Sequence, residues 1–324
     1  MLATLISSRE AATCMDAVRE FESEFSRVFP NATLADAPYL GLRRFLVRAF
    51  RRSYRHLPRR VLTPRPRAIP GTFQMSVQMG PDFALAIPSF LLRGPNFIYM
   101  FDAWPRYMPW LVDFADHFSV KAIFFSARQS CQLFNERGIG GRTRGHWLPE
   151  GIAPDDYAWL PVEGKDIDVL EFGRRHEVYH NQIRPALQAA GAAHVYAKPG
   201  ELLFPSKHDL CHALSRAKIC ICFPSSVTDP ERAEGVSTMT LRYLQAMISR
   251  CLVVGQAPSD IAEVFGYDPV VAYDGSDPAS QLLNLARNFG QYQSLVERNH
   301  AAVVSSHLWR NRLESIRPLL TDAA

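Results

Sequence analysis

The sequence predicts an α/β fold made of two doubly wound domains, each built on a parallel sheet. Short apolar runs alternate with segments of helical periodicity, and this alternation is typical of parallel strands that are connected by helices. The chain has 324 residues, enough for two domains of ordinary size. Hydrophobic residues make up 47% of the chain and charged residues 21%, which indicates a folded protein and excludes a disordered one.

The elements of the first half are predicted from apolar runs and from amphipathic periodicity. Three prolines between residues 64 and 70 interrupt the pattern, because proline neither continues a helix nor pairs inside a sheet. Apolar runs that end in polar or turn residues predict strands over residues 3–7, 96–101, 120–125 and 145–149. Helical periodicity predicts helices over residues 11–28, 42–57, 108–116 and 129–137.

The second half alternates more regularly between strands and helices. Ser206 is predicted to cap one helix, because serine with an acidic residue in the first turn, here Asp209, is a common helix start. The predicted strands cover residues 167–172, 193–197, 219–223, 251–254 and 270–273. The predicted helices cover residues 177–190, 206–216, 238–248 and 261–265, with further helical segments from residue 278 to the end. We expect the domain boundary near residues 150–165, which gives domains of residues 1–150 and 151–324.

One segment of the second half, residues 218–258, is typical of a ligand site. The predicted strand over residues 219–223 is followed abruptly by Pro224-Ser225-Ser226, and a loop with Gly235 comes next. The next predicted helix opens at Ser237 and Thr238. Loops and helix starts beyond the carboxyl ends of parallel strands are where open α/β sheets bind ligands. Hydroxyl groups and free N–H groups at a helix start suit a phosphate, so we expect a phosphorylated ligand here.

A second strand end carries two arginines. Gly173, Arg174 and Arg175 directly follow the predicted strand over residues 167–172 and precede a helix. A glycine lets the backbone approach a ligand, and a guanidinium group offers a planar fork of donors to phosphate oxygens. We therefore assign these residues to the same site. The alternative is that both arginines are solvated loop charges.

These residues resemble the C-terminal, nucleotide-sugar-binding half of the GT-B glycosyltransferases of the glycogen-synthase-like group. The resemblance covers residues 145–315 and rests on Pro224-Ser225, Gly235, Gln245-Ala246-Met247 and Val253-Val254. It implies two Rossmann-like domains that face each other across a cleft, with the C-terminal helices returning to the first domain. It also implies that Gln245 contacts the ribose of a nucleotide and that N–H groups at the helix start hold its diphosphate.

The chain departs from the family pattern in three places. The ribose-binding position carries Gln245 where the family has glutamate, and glutamine still forms hydrogen bonds but has no charge. The second acidic position of the family falls on Ser237, and the family's lysine after the Gly-Arg pair is missing, so Arg175 or His180 is expected to replace it. The expected donor-binding residues are Gly173, Arg175, His180, Ser225, Ser237, Thr238, Met239, Arg242 and Gln245.

The resemblance implies a glycosyltransferase that moves a sugar from a nucleotide-diphosphate sugar to a glycan or lipid-linked acceptor, in surface-polysaccharide or glycolipid assembly. Arg174 is expected to be catalytic, because fixed positive charge stabilises the negative charge that develops on the departing phosphate. We expect no cofactor besides the donor and no metal, since the sequence has no strong metal-ligand spacing. The alternatives are a sugar-nucleotide-binding protein without turnover and a GT-B epimerase or hydrolase.

Asp102 is the catalytic candidate of the first half. It follows the predicted strand over residues 96–101, so its carboxylate could accept the proton of an acceptor hydroxyl. The alternative is that Asp102 caps the helix that follows Pro105, which is a common role for aspartate. Ser126, at the end of the next predicted strand, is a weaker candidate.

The basic residues of the first half are concentrated in one patch. Ten arginines lie between residues 43 and 67, and no acidic residue occurs from residue 37 to residue 81. The predicted helix over residues 42–57 has one apolar face, formed by Leu42, Phe45, Leu46, Ala49, Phe50 and Leu57. Such a helix could be solvated, bind nucleic acid or bind anionic lipid. No nucleic-acid-binding motif accompanies it, so we expect no nucleic-acid partner and favour an anionic membrane surface.

Cysteine usage and hydropathy predict the compartment. The six cysteines show no CxxC spacing and lie mostly in predicted strands or helices, which favours reduced, buried thiols. No apolar run approaches the length of a membrane-spanning helix, and the first residues lack a signal-peptide core. We therefore expect a cytoplasmic protein that is attached to the inner membrane face at most peripherally.

Overall fold

The chain divides into two compact units in the computed structural model. The first unit comprises Met1–Pro149 and Trp309–Ala324, and the second comprises Glu150–Leu308. The structure describes residues 2–7, 16–36, 67–80, 86, 89–90, 93–138, 142–198 and 200–322. The predicted basic helix over residues 42–57 lies outside the described residues and stays a prediction.

Each unit contains a parallel sheet with interleaved helices, which confirms the predicted α/β class. The strands are β1 (Leu2–Ser7), β2 (Thr33–Asp36), β3 (Arg67–Ala68), β4 (Thr72–Met79), β5 (Arg93–Gly94), β6 (Asn96–Phe101), β7 (Val120–Phe125), β8 (Arg144–Trp147), β9 (Ile167–Glu171), β10 (His194–Val195), β11 (Ala217–Cys222), β12 (Leu252–Gly255) and β13 (Val271–Ala272). The helices are α1 (Asp16–Val28), α2 (Met108–His117), α3 (Arg128–Arg137), α4 (Glu177–Ala189), α5 (Lys207–Arg216), α6 (Ser225–Thr228), α7 (Pro230–Ala233), α8 (Leu241–Ile248), α9 (Ile261–Phe265), α10 (Pro278–Arg287), α11 (Gln293–Ser306) and α12 (Trp309–Asp322).

The sheet of the first unit has the strand order β2-β1-β4-β6-β7-β8 in the described part of the chain, and β3 and β5 form a small separate pair. All these pairings are parallel. Trp309, the first residue of α12, is fully buried in the core of this unit. Its ring lies 5.1 Å from the ring of Phe21 on α1 and 5.5 Å from the ring of Tyr99 on β6. These aromatic contacts bury the last helix of the chain against the first unit.

The second unit has the strand order β10-β9-β11-β12-β13, again with every pairing parallel. The helices α4 and α10 cover one face, where Ile183 and Leu282 pack with Val169 of β9. The predicted start of α5 is confirmed, because Ser206 and Asp209 form a reciprocal capping box.

Two elements near the expected site are clearly shorter than the sequence predicts. The helix predicted over residues 238–248 begins at Leu241, because Thr240 is still extended. The strand predicted over residues 193–197 is reduced to the short edge strand β10. Both differences shorten elements beside the strand ends at which we expect the site.

The described cysteines are free and buried, as expected for reduced thiols. Burial raises the pKa of Cys222 to about 12, which keeps this thiol protonated and unreactive at neutral pH. In the part of the chain that the structure describes, no helix is both long enough and apolar enough to cross a membrane.

Candidate functional site

The candidate site lies at the carboxyl ends of central strands of the second unit. β9 ends at Glu171, and the chain then turns at Gly173, whose φ of 70° lies in the left-handed region that favours glycine. The neighbouring strand β11 ends at Cys222, and α6 begins at Ser225. Because β9 and β11 are paired in parallel, the two turns lie at the same edge of the sheet.

Arg242, near the start of α8, connects the two turns. Its Nη1 donates to the carbonyl oxygen of Arg174 at 2.8 Å, and its Nη2 donates to the carbonyl oxygen of Phe223 at 3.0 Å. A Cβ atom at position 173 would lie 2.8 Å from Cδ of Arg242. Gly173 is therefore required both by its backbone conformation and by the close approach of this arginine.

Arg174 reaches from the first turn to the second. Its Nη2 donates to Oγ of Ser225 at 2.9 Å, and its Nη1 lies 3.8 Å from Oδ2 of Asp229. The side chain is 36% exposed, and the contact with Ser225 orients its guanidinium group. We call Gly173, Arg174, Ser225 and Arg242 the arginine cluster. The structure brings these four predicted residues together in an arrangement suited to phosphate oxygens.

Arg175 makes different contacts from those of its neighbour. Its Nε and Nη2 each donate to the carboxylate of Glu177 at 3.0 Å, and its Nη1 donates to the carbonyl oxygen of Ala197 at 2.7 Å. The bidentate pair with Glu177 balances the charge of Arg175 and fixes its guanidinium plane. Of the two adjacent arginines, only Arg174 joins the arginine cluster.

Two buried carboxylates hold the start of α8. Asp260 accepts from Oγ1 of Thr238 at 2.7 Å and from the backbone N–H of Met239 at 2.9 Å. Glu150 accepts from the backbone N–H of Leu241 at 2.7 Å. Carboxylates are favourable here because the start of a helix carries partial positive charge. These two N–H groups at the helix start are thus already bonded, and the nearby negative charge opposes an anionic ligand at those atoms.

Ser237 and Gln245 are held by contacts of their own. Oγ of Ser237 accepts from the backbone N–H of Ser259 at 3.2 Å, and the Ser237 carbonyl accepts from Oγ of Ser259 at 2.8 Å. Gln245 is buried and donates from Nε2 to the hydroxyl of Tyr157 at 2.9 Å. A ribose hydroxyl at Gln245 would have to replace or share this hydrogen bond.

His180 belongs to a separate group of buried polar side chains. Its Nδ1 lies 2.6 Å from Oε1 of Glu171, and Nε2 of His194 lies 2.7 Å from the same oxygen. Burial raises the pKa of Glu171, but the hydrogen bonds from His194 and His180 lower it by more, so the pKa lies below its usual range. We call Glu171, His180 and His194 the histidine cluster. The sequence predicts His180 at the donor site, and no motif spacing in it predicts this cluster.

Three carboxylates at these turns were not assigned from the sequence. Glu150 lies in the turn between the two halves, and Asp260 directly precedes α9, where an acidic residue is normally interpreted as a helix cap. The side chain of Asp260 does not cap α9 and binds the start of α8. Glu171 is the last residue of β9 and directly follows the apolar pair Val169-Leu170, and that position is the signal that could have identified it.

Asp102 lies directly after β6 in the first unit. Its φ of 37° falls in the left-handed region that non-glycine residues seldom adopt, and such strain is common at functional positions. The 3₁₀ turn Pro105–Tyr107 begins after Trp104 and has no side-chain cap, and neither does α2. Asp102 is therefore not the N-cap residue of either helix, since those positions are Trp104 and Tyr107. Ser126 is buried and its carbonyl accepts from Nε1 of Trp147.

Solved glycosyltransferase structures share this architecture over almost the whole chain. HepE from Anabaena, in complex with UDP and glucose, is 11% identical over 99% of this chain and 100% of its own, with a TM-score of 0.63. A sucrose-phosphate synthase from Thermosynechococcus elongatus is 10% identical over 98% of each chain, with a TM-score of 0.59. A glycosyltransferase from Rickettsia africae is 6% identical over 99% of this chain and 98% of its own, with a TM-score of 0.60. No protein-family model matches the sequence, and no curated protein is significantly similar to it.

This chain has the GT-B fold. The resemblance inferred from the sequence is thereby confirmed at the level of the fold, although identities of 6–11% relate backbones and not active sites. One fold hosts many activities, so the activity of this GT-B protein has to be argued from its own side chains.

Proposed function

We propose that this protein is a glycosyltransferase that moves a sugar from a nucleotide-diphosphate sugar to a glycan or lipid-linked acceptor. The observation that carries the proposal is the arginine cluster, in which Arg174 is oriented by Ser225 at the carboxyl edge of a GT-B sheet. The structural neighbour HepE was solved with UDP-glucose, which supports a nucleotide-sugar donor and makes UDP-glucose the first donor to test. In this proposal the second unit binds the donor and the first unit faces the acceptor.

The proposed chemistry needs positive charge beside the donor bond that breaks. When the bond between the anomeric carbon and the diphosphate breaks, negative charge develops on the departing phosphate oxygens. Arg174 supplies a fixed guanidinium group for this charge, and Arg242 holds the backbone of Arg174 in place. Asp102 is the proposed base that accepts the proton of the acceptor hydroxyl. We propose that the transfer itself runs without a metal and without a further cofactor.

The proposal is tested by donor-dependent release of nucleoside diphosphate. The purified protein is incubated with UDP-glucose, and then with other nucleotide sugars, in the presence and absence of glycan and lipid-linked acceptors. We expect release of the diphosphate to depend on one acceptor class and to stop in the Arg174→Ala variant. Diphosphate release without any acceptor would indicate a hydrolase, and inversion at a sugar carbon with the donor intact would indicate an epimerase.

A second candidate function is sugar-nucleotide binding without turnover. It is favoured by Glu150 and Asp260, whose carboxylates occupy two N–H groups that the resemblance assigns to the diphosphate, and by the uncharged Gln245. Micromolar binding of UDP or UDP-glucose, with no release under any acceptor condition, would favour this function over transfer.

The proposed cellular site is the inner membrane face, where a lipid-linked acceptor would be found. The basic helix predicted over residues 42–57 should bind anionic lipid. Each of its arginines should contribute on the order of 1 kcal/mol to this binding. The test variant replaces five arginines with glutamine: Arg44, Arg48, Arg51, Arg52 and Arg55. We expect this variant to be released from vesicles that contain phosphatidylserine, as measured by co-sedimentation. We also expect wild-type binding to weaken with salt, because exposed charges are screened over about 8 Å at physiological ionic strength.

A matched control distinguishes the effect of the basic patch on lipid binding from the effect of net charge. The control variant replaces five exposed basic residues elsewhere with glutamine: Arg137, Arg184, Lys198, Arg287 and Arg310. It loses the same formal charge, yet it should bind vesicles like the wild type. Equal vesicle binding by all three proteins would contradict the membrane proposal, and equal release of both variants would reduce it to an effect of net charge.

A further inference from the structure

The histidine cluster is assembled from three elements of the second unit. Glu171 is the last residue of β9, His180 lies in α4, and His194 is the first residue of β10. One ligand atom from each side chain lies within 4.8 Å of the other two. The three side chains are between 3% and 5% exposed. Polar groups at this depth are expensive to bury, so their convergence calls for a physical reason.

The sheet register explains why the cluster forms at this place. β10 is the edge strand and pairs with β9 so that His194 lies opposite Val169. Alternate residues of a strand point to the same face, so Glu171 shares the face of Val169 and is a diagonal neighbour of His194. That face is covered by α4, whose Ile183 packs with Val169. His180 lies one turn before Ile183 on α4, so its side chain reaches the carboxylate of Glu171.

The composition of the cluster matches a known type of metal ligand set. Two imidazoles and one carboxylate, with a fourth position left to water, bind zinc in many proteins. In the described part of the chain, the carboxylate of Glu171 forms ion pairs with His180 and His194 and with no lysine or arginine. The rings of His180 and His194 each lie 4.7 Å from the ring of Tyr196, which shields them from one side.

Hydrogen bonds hold the two imidazoles of the histidine cluster close to the carboxylate of Glu171. His180 and His194 approach one carboxylate oxygen at 2.6 Å and 2.7 Å. Tetrahedral zinc with bonds of about 2.0–2.1 Å keeps its ligand atoms about 3.3 Å apart. Binding would therefore require each imidazole to move by roughly 0.6 Å relative to that oxygen, which small rotations of the side chains supply.

We propose that Glu171, His180 and His194 bind one zinc ion. The ion replaces the shared hydrogen bonds with metal–ligand bonds and cross-links β9, β10 and α4. Each imidazole nitrogen that binds the ion gives up its proton, which moves to the other ring nitrogen when the ring is neutral and to solvent when it is charged. Glu171 is two residues before Gly173, so the cross-link fixes the strand end from which the arginine cluster starts. The ion is bound apart from the proposed transfer chemistry, and its presence is independent of whether the protein proves to be a transferase.

The experiment titrates the chelator-treated full-length protein with Co²⁺, which occupies zinc sites and gives visible absorption bands. We expect one equivalent of Co²⁺ to bind with the intense visible bands of a four-coordinate site. No near-ultraviolet thiolate charge-transfer band should appear, because the proposed ligands are nitrogen and oxygen. Zinc should displace the cobalt, and zinc at about 100 times its Kd should raise the Tm by roughly 5 °C.

Two variants and a control assign the ligands. Glu171→Gln keeps an oxygen that accepts both imidazole hydrogen bonds but removes the anionic ligand, and His194→Gln removes one imidazole. Each should abolish the stoichiometric cobalt spectrum and the zinc-dependent rise in Tm. His212→Gln is the matched control, because His212 is exposed on α5 and should leave both signals unchanged.

If the variants do not fold, metal binding by the wild-type protein alone still tests the proposal. Imidazole N–H signals shifted by bound Co²⁺ in the proton NMR spectrum of the wild type would support two histidine ligands. Absence of stoichiometric cobalt or zinc binding, a thiolate band, or an unchanged spectrum in folded Glu171→Gln and His194→Gln would each refute the zinc site. These outcomes are independent of nucleotide binding, so failure here is distinguishable from failure of the proposed transferase function.

Discussion

Replacing Arg174 with alanine is expected to weaken the binding of UDP by roughly 1.5–3 kcal/mol, about 10- to 150-fold in Kd. The Arg174 side chain is partly exposed and Ser225 orients its guanidinium group, which we expect to donate charge-assisted hydrogen bonds to a diphosphate. Alanine removes these bonds and leaves the backbone contact between Arg242 and the carbonyl of residue 174 in place. Isothermal titration of wild type and variant with UDP measures the difference.

The matched control is Arg184→Ala. Arg184 is an exposed arginine on α4 in the same unit, so its loss changes the net charge by the same amount. UDP should bind this variant with the wild-type affinity. If both variants lose affinity equally, the effect is one of long-range charge. If neither loses affinity, Arg174 is a surface charge, as the alternative interpretation of the sequence holds.

Arg175→Ala distinguishes the sequence prediction from the structural one. The sequence places both adjacent arginines at the donor, whereas the structure pairs Arg175 with Glu177 and Ala197. We expect Arg175→Ala to cost less UDP affinity than Arg174→Ala. An equal cost would mean that the diphosphate draws Arg175 away from Glu177 when it binds.

Much of the fold could be predicted because the residues that end its strands and helices lie next to them in the sequence. β6, β7 and α9 begin and end where the sequence prediction placed them. In β6 and β7 an apolar run stops at a polar residue, and α9 stops before Gly266, which adopts the left-handed conformation typical of a helix end. Such signals lie within a few residues of the boundary that they set.

The central strand β4 was not predicted, although its sequence carries a strand signal. Gln74, Ser76 and Gln78 alternate with apolar residues, a pattern that indicates a strand with one exposed face. In the folded chain all three are buried, and Nε2 of Gln74 donates to Oδ1 of Asn96 on the neighbouring strand. That partner is 22 residues away, so the sequence around β4 does not reveal it.

The site was predicted where its residues follow strand ends and missed where they come from distant segments. Gly173, Arg174 and Ser225 each lie within three residues of a strand end, and the structure joins them. Glu150 accepts a hydrogen bond from the N–H of Leu241, which is 91 residues away in sequence, and no local pattern predicts such a pair. The same holds for the histidine cluster, whose three members share no motif spacing and meet through the register of an edge strand.

Replacing Gly255 with alanine is expected to destabilise the second unit by more than about 4 kcal/mol, a large fraction of the roughly 5–15 kcal/mol by which ordinary domains are stable. Gly255 ends β12 with a φ of 144°, a conformation that side chains rarely allow. An added Cβ would lie 2.0 Å from the carbonyl oxygen of Cys222 on the paired strand β11. Because that atom belongs to the backbone, it cannot move aside without separating two central strands of the sheet.

Gly266→Ala isolates the backbone strain from the steric clash. Gly266 also has a positive φ, 72°, but a Cβ there would meet nothing within 4 Å, so its replacement should cost only about 1–2 kcal/mol. Thermal unfolding and limited proteolysis of both variants measure the difference, since the two units need not unfold together. Because β11 carries Ser225 beyond its end, Gly255→Ala should also lose UDP binding, whereas Gly266→Ala should retain it. Equal stability of the two variants would show that β11 and β12 do not approach each other as closely as the structure places them.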